Sequence, residues 1–132
     1  MPIVNVVFYK DDDETIPMLD WLVEMGQRDQ RIVDKCRVAI EELANSGHEL
    51  RRPKADYLRD DIYELRIRFQ SVNYRILYFF HGRTAAILAH GLTKEDVVPE
   101  KAINLAVERR KKYVAKPEEH QGTSEEEDEE NE

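Results

Sequence analysis

The stretch from Ile62 to His90 constrains the fold of this chain more than any other part. Ile62–Phe69 (IYELRIRF) alternates strictly, with Tyr63, Leu65, Ile67 and Phe69 on one face and Glu64, Arg66 and Arg68 on the other. A period of two belongs to a β-strand with one face buried. Gln70–Val72 form a tight turn, and a second strand follows over 73–81 (NYRILYFFH). His81-Gly82 turn the chain again into a third strand over 84–90 (TAAILAH). Connections this short join only antiparallel neighbours, so the three segments form a meander. Every other element must then pack against that sheet or extend it.

Two helices and one strand precede the meander. Ile3–Tyr9 is β-branched and aromatic, with Val4, Val6 and Phe8 alternating against Ile3, Asn5 and Val7. Apolar residues on both sides predict a strand covered on both faces. The acidic run Asp11–Glu14 is a turn that places negative charge before a helix N-terminus. Thr15 is the expected N-cap and Pro17 suits the first turn. Met18, Leu19, Leu22 and Met25 follow at helical spacing, and Gly26 is expected to end that helix. From Arg28 to Asn45, the residues Ile32, Cys36, Ala39, Ile40 and Leu43 form an apolar stripe, closed by Gly47. Trp21 and Cys36 belong to these apolar faces and read as core. Residues 48–61 are polar and read as a connection. Pro99 announces a closing helix to about Val114, with Ile103, Ala106, Val107 and Val114 facing inward. The predicted fold is α+β. It has an antiparallel sheet of the N-terminal strand plus the three-stranded meander, packed on two N-terminal helices and closed by a C-terminal helix. The domain spans 1–115.

Charge partitions along the chain. The 132 residues carry a formal net charge of −8. Residues 1–50 sum to −6, residues 51–117 to +7 and residues 118–132 to −9. Binding follows the local patch, so the basic middle segment admits an anionic partner that the acidic average would exclude. Residues 116–132 have no apolar residue and are expected to form a disordered acidic tail that contributes nothing to the core. That tail reads as a solvated extension or as a phosphate mimic for the basic region. The single Cys36 excludes an intramolecular disulfide and a Cys-rich zinc site. His48, His81, His90 and His120 lack metal-ligand spacing, so neither a metal nor a cofactor is expected. The N-terminal residues predict no signal peptide, and no stretch approaches the roughly 18 apolar residues of a membrane span. A cytoplasmic location is the expectation.

The polar face of the meander carries the candidate chemistry. Arg66 and Arg68 share a strand face, Arg75 lies on the neighbouring strand, and Lys94 follows the third strand. Lys101 and Arg109 lie on the closing helix, and His90 ends the third strand. Clustered guanidiniums need an anion or a carboxylate between them, and phosphate suits the planar arginine fork. Two readings stay open on charge alone: a phosphodiester cleft, or a solvated sheet face with Glu64 and Asp60 pairing the arginines.

The ordered motifs IYELRIR (62–68), NYRILYFF (73–80), ILAHGLTK (87–94) and PEKAINLAVERRKKY (99–113) resemble the RelE/HigB superfamily of type II toxin–antitoxin toxins. The similarity is nearest to its phage-derived-protein branch and covers about residues 3–114. The resemblance implies a metal-independent endoribonuclease (an mRNA interferase) that cleaves ribosome-bound mRNA and inhibits translation. It also implies a cognate helix-turn-helix antitoxin and a toxin–antitoxin hetero-oligomer. Carried over, Arg75 and Arg66 meet the scissile phosphate and Lys94 assists. Glu64 stands where RelE has a lysine and is a candidate base. Arg68, His90, Lys101 and Arg109 are candidate RNA contacts. The same fold also admits a non-enzymatic protein that binds gyrase or only its antitoxin.

Overall fold

A computed structural model describes residues 3–93 and 97–122. Strand β1 (Asn5–Tyr9) is followed by helices α1 (Pro17–Arg28) and α2 (Gln30–Ser46). Strands β2 (Ala55–Arg59), β3 (Ile62–Phe69), β4 (Val72–His81) and β5 (Ala85–Thr93) come next, then α3 (Glu100–Ala115) and the short β6 (Gln121–Gly122). The strands form one sheet in the order β2-β3-β4-β5-β1-β6. All pairs are antiparallel except β1 with β5, which run parallel. The predicted α+β architecture and its meander are therefore present, with β1 placed inside the sheet.

Helices cover both faces. On one side α1 and α2 pack Met18, Trp21, Met25, Ile32, Cys36 and Leu43 onto Leu65, Ile67, Tyr74, Ile76, Tyr78, Ala86 and Leu88. On the other, α3 sets Ala102, Ile103, Ala106 and Tyr113 on Tyr9, Ile62, Leu77, Phe79, Ile87 and Ala89. Between the partners of Leu77 and Tyr78 the β5 register shifts, because His90 opposes Leu77 while Leu88 opposes Tyr78. Ala89 is the extra residue of a β-bulge.

Several local expectations are corrected. The polar stretch 48–61 contains β2. Ala55 pairs with Leu65 and Tyr57 with Tyr63, although Tyr57 stays half exposed at the sheet edge. An edge strand of five residues that buries little carries almost no apolar pattern. Ile16, not Thr15, is the α1 N-cap, since Thr15 Oγ1 donates to Asp13 instead (2.7 Å). Helix α1 runs through Gly26 to Arg28, and Asp29 caps α2 by accepting from the Arg31 N–H. Val114 is exposed, and Tyr113 takes the inward place at the end of α3.

The largest correction concerns residues 116–122, expected in the tail. Pro117–Glu119 make a 3-10 turn and β6 pairs antiparallel with β1, Phe8 opposite Gly122. His120 is buried, stacks on Tyr9 and meets the Lys10 carbonyl through Nδ1 (2.7 Å). Imidazole and backbone supply what aliphatic residues would otherwise give. The rest of the tail lies outside the described residues. A chain ending at Lys116 should lose about 1–3 kcal/mol, because Tyr9 and Ile16 lose their cover. Urea titration of the full and shortened chains measures it.

Gly91 fixes the seating of α1. A Cβ there would overlap the Trp21 indole, whose Nε1 donates to Thr93 Oγ1 (3.2 Å). The indole is bonded at one end and enclosed by core, so it cannot step aside without loss. Gly91→Ala should cost about 1–3 kcal/mol, read as a melting temperature lowered by roughly 4–12 °C.

Candidate functional site

Helix α3 is 16 residues long, about 24 Å, and covers only part of its sheet face. Beyond it β3 and β4 present Glu64, Arg66 and Arg75. Arg66 and Arg75 are direct cross-strand partners. Like charges placed opposite each other destabilise a sheet, and Glu64 resolves the conflict. Its side chain is 4% exposed, against 12% for Arg75 and 38% for Arg66. Glu64 Oε1 accepts from Arg66 Nε and lies 3.6 Å from Arg75 Nε. On β2, Asp56 pairs in register with Glu64, and its Oδ2 accepts from Arg52 Nε (2.9 Å) and lies 3.4 Å from Arg66 Nη2. The Arg52 hydrogen bond is the main cause holding the Asp56 carboxyl below its ordinary range.

Leu58, Arg59, Val97, Val98, Glu100 and Ile103 complete a cleft of about 350 Å³ over this network. Its wall is the N-terminal end of α3, whose dipole favours an anion. Arg59 is anchored there by Glu100 (2.6 Å) and Asn104 (2.6 Å). The cleft therefore presents two guanidiniums, a chemistry that suits an anion such as phosphate. Arg66 is the more accessible of the two, and Arg75 is held at the floor.

The other candidates divide. Arg68 is exposed and shares the face of Arg66. His90 and Lys101 line a neighbouring hollow on the far flank of α3. Arg109 does not join the cleft: its Nη1 donates to the Ala89 carbonyl (2.6 Å), and its guanidinium lies over the Tyr9 ring. Burial is the main cause lowering the Arg109 pKa. Lys94 lies outside the described residues. Arg52, Asp56 and Arg59 carry no sequence signal of the site, because β2 lacks an apolar alternation. Asp60 pairs with Arg59 rather than with the sheet-face arginines. Among the described residues no group of three or more His, Cys, Asp or Glu side chains is placed to hold a metal. No described helix is long and apolar enough to cross a membrane.

Residues 20–111 match the family described as Phage derived protein Gp49-like (DUF891). The chain belongs to that family. Gp49-like proteins are associated with toxin–antitoxin modules. The matched span runs from α1 into α3 and holds the whole Arg66–Arg75–Glu64 network of this Gp49-like chain. No curated protein matches the chain.

His90 gives the site a pH signature. Burial first, and Arg109 second, push its pKa down. An unfolded histidine titrates near pH 6.5. As pH falls through that value the unfolded chain takes up a proton that folded His90 resists, so stability falls. Asp12, Asp13, Asp29 and Asp56, all held low, weaken the fold only at pH below about 4. Urea midpoints should therefore drop between pH 7 and 5, and His90→Gln should flatten that drop.

Proposed function

We propose that this Gp49-like protein is the toxin of a type II toxin–antitoxin module and cleaves ribosome-bound mRNA in the RelE/HigB manner. The observation that carries the reading is the cross-strand Arg66–Arg75 pair held by buried Glu64 at the foot of an open cleft. Two guanidiniums oriented in advance suit a phosphate whose charge grows during reaction. The ribose 2′-oxygen attacks the adjacent phosphorus and the bond to O5′ breaks. A 2′,3′-cyclic phosphate and a 5′-hydroxyl result, with the 2′-OH proton passing to water and one proton delivered to O5′. Arg75 meets a non-bridging oxygen from the floor. Arg66, more exposed, meets a second oxygen through its Nη atoms while its Nε stays on Glu64. Glu64 is tied to both arginines, which suits orienting them better than taking the 2′-OH proton. Lys94 remains the candidate for proton delivery, and the ribosome supplies the alignment. Translation then stops in the cytoplasm.

The antitoxin is proposed to be a small helix-turn-helix protein with an acidic amphipathic segment. A groove of about 540 Å³ between α2 and β3 suits such a segment, lined by the apolar Val38, Leu50, Ile67 and Phe69 together with Lys35 and Arg68.

Arg75→Ala should lower ribosome-dependent mRNA cleavage about 10²–10³-fold and abolish growth arrest, while Arg75→Gln melts close to wild type as the folding control. A folded, fully toxic Arg75→Ala overturns the assignment. Arrest of replication with translation intact would favour the gyrase-binding alternative.

A further inference from the structure

A second hollow of about 470 Å³ lies beside the arginine cleft, lined by His90, Leu92, Pro99, Lys101, Ala102 and Leu105, with Asn104 and Glu108 at its rim. Such a volume lies within the range of small-ligand pockets. Leu92 is the direct cross-strand partner of Arg75, so their Cβ atoms are about 4.5–5.5 Å apart. The hollow and the phosphate site therefore adjoin across the first turn of α3.

The chemistry of the hollow differs from that of the cleft. Its walls are mainly aliphatic, and Leu105, outside both core clusters, is 38% exposed. One aromatic ring, His90, is held against Arg109. Arg109 Nη1 lies 3.4 Å from His90 Nδ1. A guanidinium only donates, so this contact favours the tautomer in which Nδ1 accepts and Nε2 carries the hydrogen. Arg109 is itself anchored on the carbonyl of the bulged Ala89. The bulge, Arg109 and His90 thus form one chain of contacts that ends in a neutral imidazole N–H donor. Apolar walls with a few hydrogen-bonding groups are a setting that an unstacked base can occupy.

We propose that this hollow holds the nucleobase attached to the phosphate bound by Arg66 and Arg75. The base lies between Leu92 and Leu105, and His90 Nε2–H donates to an acceptor on its edge. Arg109 acts as a positioning residue for His90 and touches no nucleotide. The inference rests on the phosphate assignment made above and adds to it the pocket that reads the base.

The test is equilibrium binding of the four ribonucleoside 5′-monophosphates to the full chain, with ribose 5-phosphate as the base-free control. The ring nitrogen resonances of His90 are followed in parallel. At least one nucleotide should bind about tenfold or more tightly than ribose 5-phosphate and should shift the His90 Nε2 resonance. Leu105→Glu, at a partly exposed site, should abolish the preference over ribose 5-phosphate, since the added charge repels both phosphates alike while the lost apolar wall affects only the base. Arg109→Gln should weaken the preferred nucleotide and broaden the His90 signals between tautomers, which loss of packing alone would not do. Equal binding of nucleotides and ribose 5-phosphate, or an unmoved His90, overturns the proposal, and so does unchanged discrimination in Leu105→Glu. Arg75→Ala separates the two readings. If it leaves ribose 5-phosphate binding intact while base preference persists, the phosphate assignment fails and the base pocket stands.

Discussion

Strand β4 is buried on both sides over its middle, and the rest of the molecule is arranged to keep it so. Ile76 and Tyr78 face α1 and α2, while Leu77 and Phe79 face α3, and all four are fully buried. Burying side chains of this size is worth roughly 1.5–3 kcal/mol each, which no surface ion pair approaches. A strand of this kind needs neighbours on both edges and helices on both faces. β3 and β5 supply the edges through the meander. The parallel return of β1 beside β5 then requires the chain to cross the sheet, and α1 with α2 make that crossing while covering one face.

The site arises where this arrangement stops. Helix α3 leaves the Arg75 end of the sheet uncovered, and β4 changes there from apolar to charged. An uncovered face would ordinarily be solvated by freely moving charges. Here Glu64 is enclosed, so the arginines around it lose freedom before any ligand arrives. In the proposed function, this means that part of the ordering a bound phosphate would demand is complete beforehand.

What was legible in the sequence follows from how strongly each element is patterned. The meander, α2 and α3 bury continuous stripes, so Leu65, Ile67, Ile76, Ile103 and Ala106 announce them. The nearness of Arg75 to Arg66 was legible too, since a short turn after Phe69 brings the strands together, but their direct pairing was not, because β4 begins at Val72, inside the expected turn. β2 was not, because an edge strand of alternating charge and half-exposed tyrosine looks like a loop. The register shift at Ala89 leaves no mark in the alternation of small and apolar residues. Without it, Arg109 reads as a surface cation on a basic helix end instead of a buried ligand of a bulge. His120 misled for a similar reason: hydropathy counts it as polar, whereas stacking on Tyr9 and one backbone hydrogen bond make it core.

The bulge also bears on how this strand tolerates changes in length. Within a regular strand, deleting one residue exchanges the two faces from that point on. In β5 this would turn residues made for Trp21 toward α3, and the reverse. Ala89 is different, because two residues there already oppose one partner. Removing it restores plain alternation and leaves Gly91 beneath Trp21 and Leu92 beside Arg75. The core frame would survive such a deletion, while the carbonyl that anchors Arg109 would be gone. Insertions and deletions in this strand thus separate folding from site chemistry at a single position, a distinction that side-chain replacement does not offer.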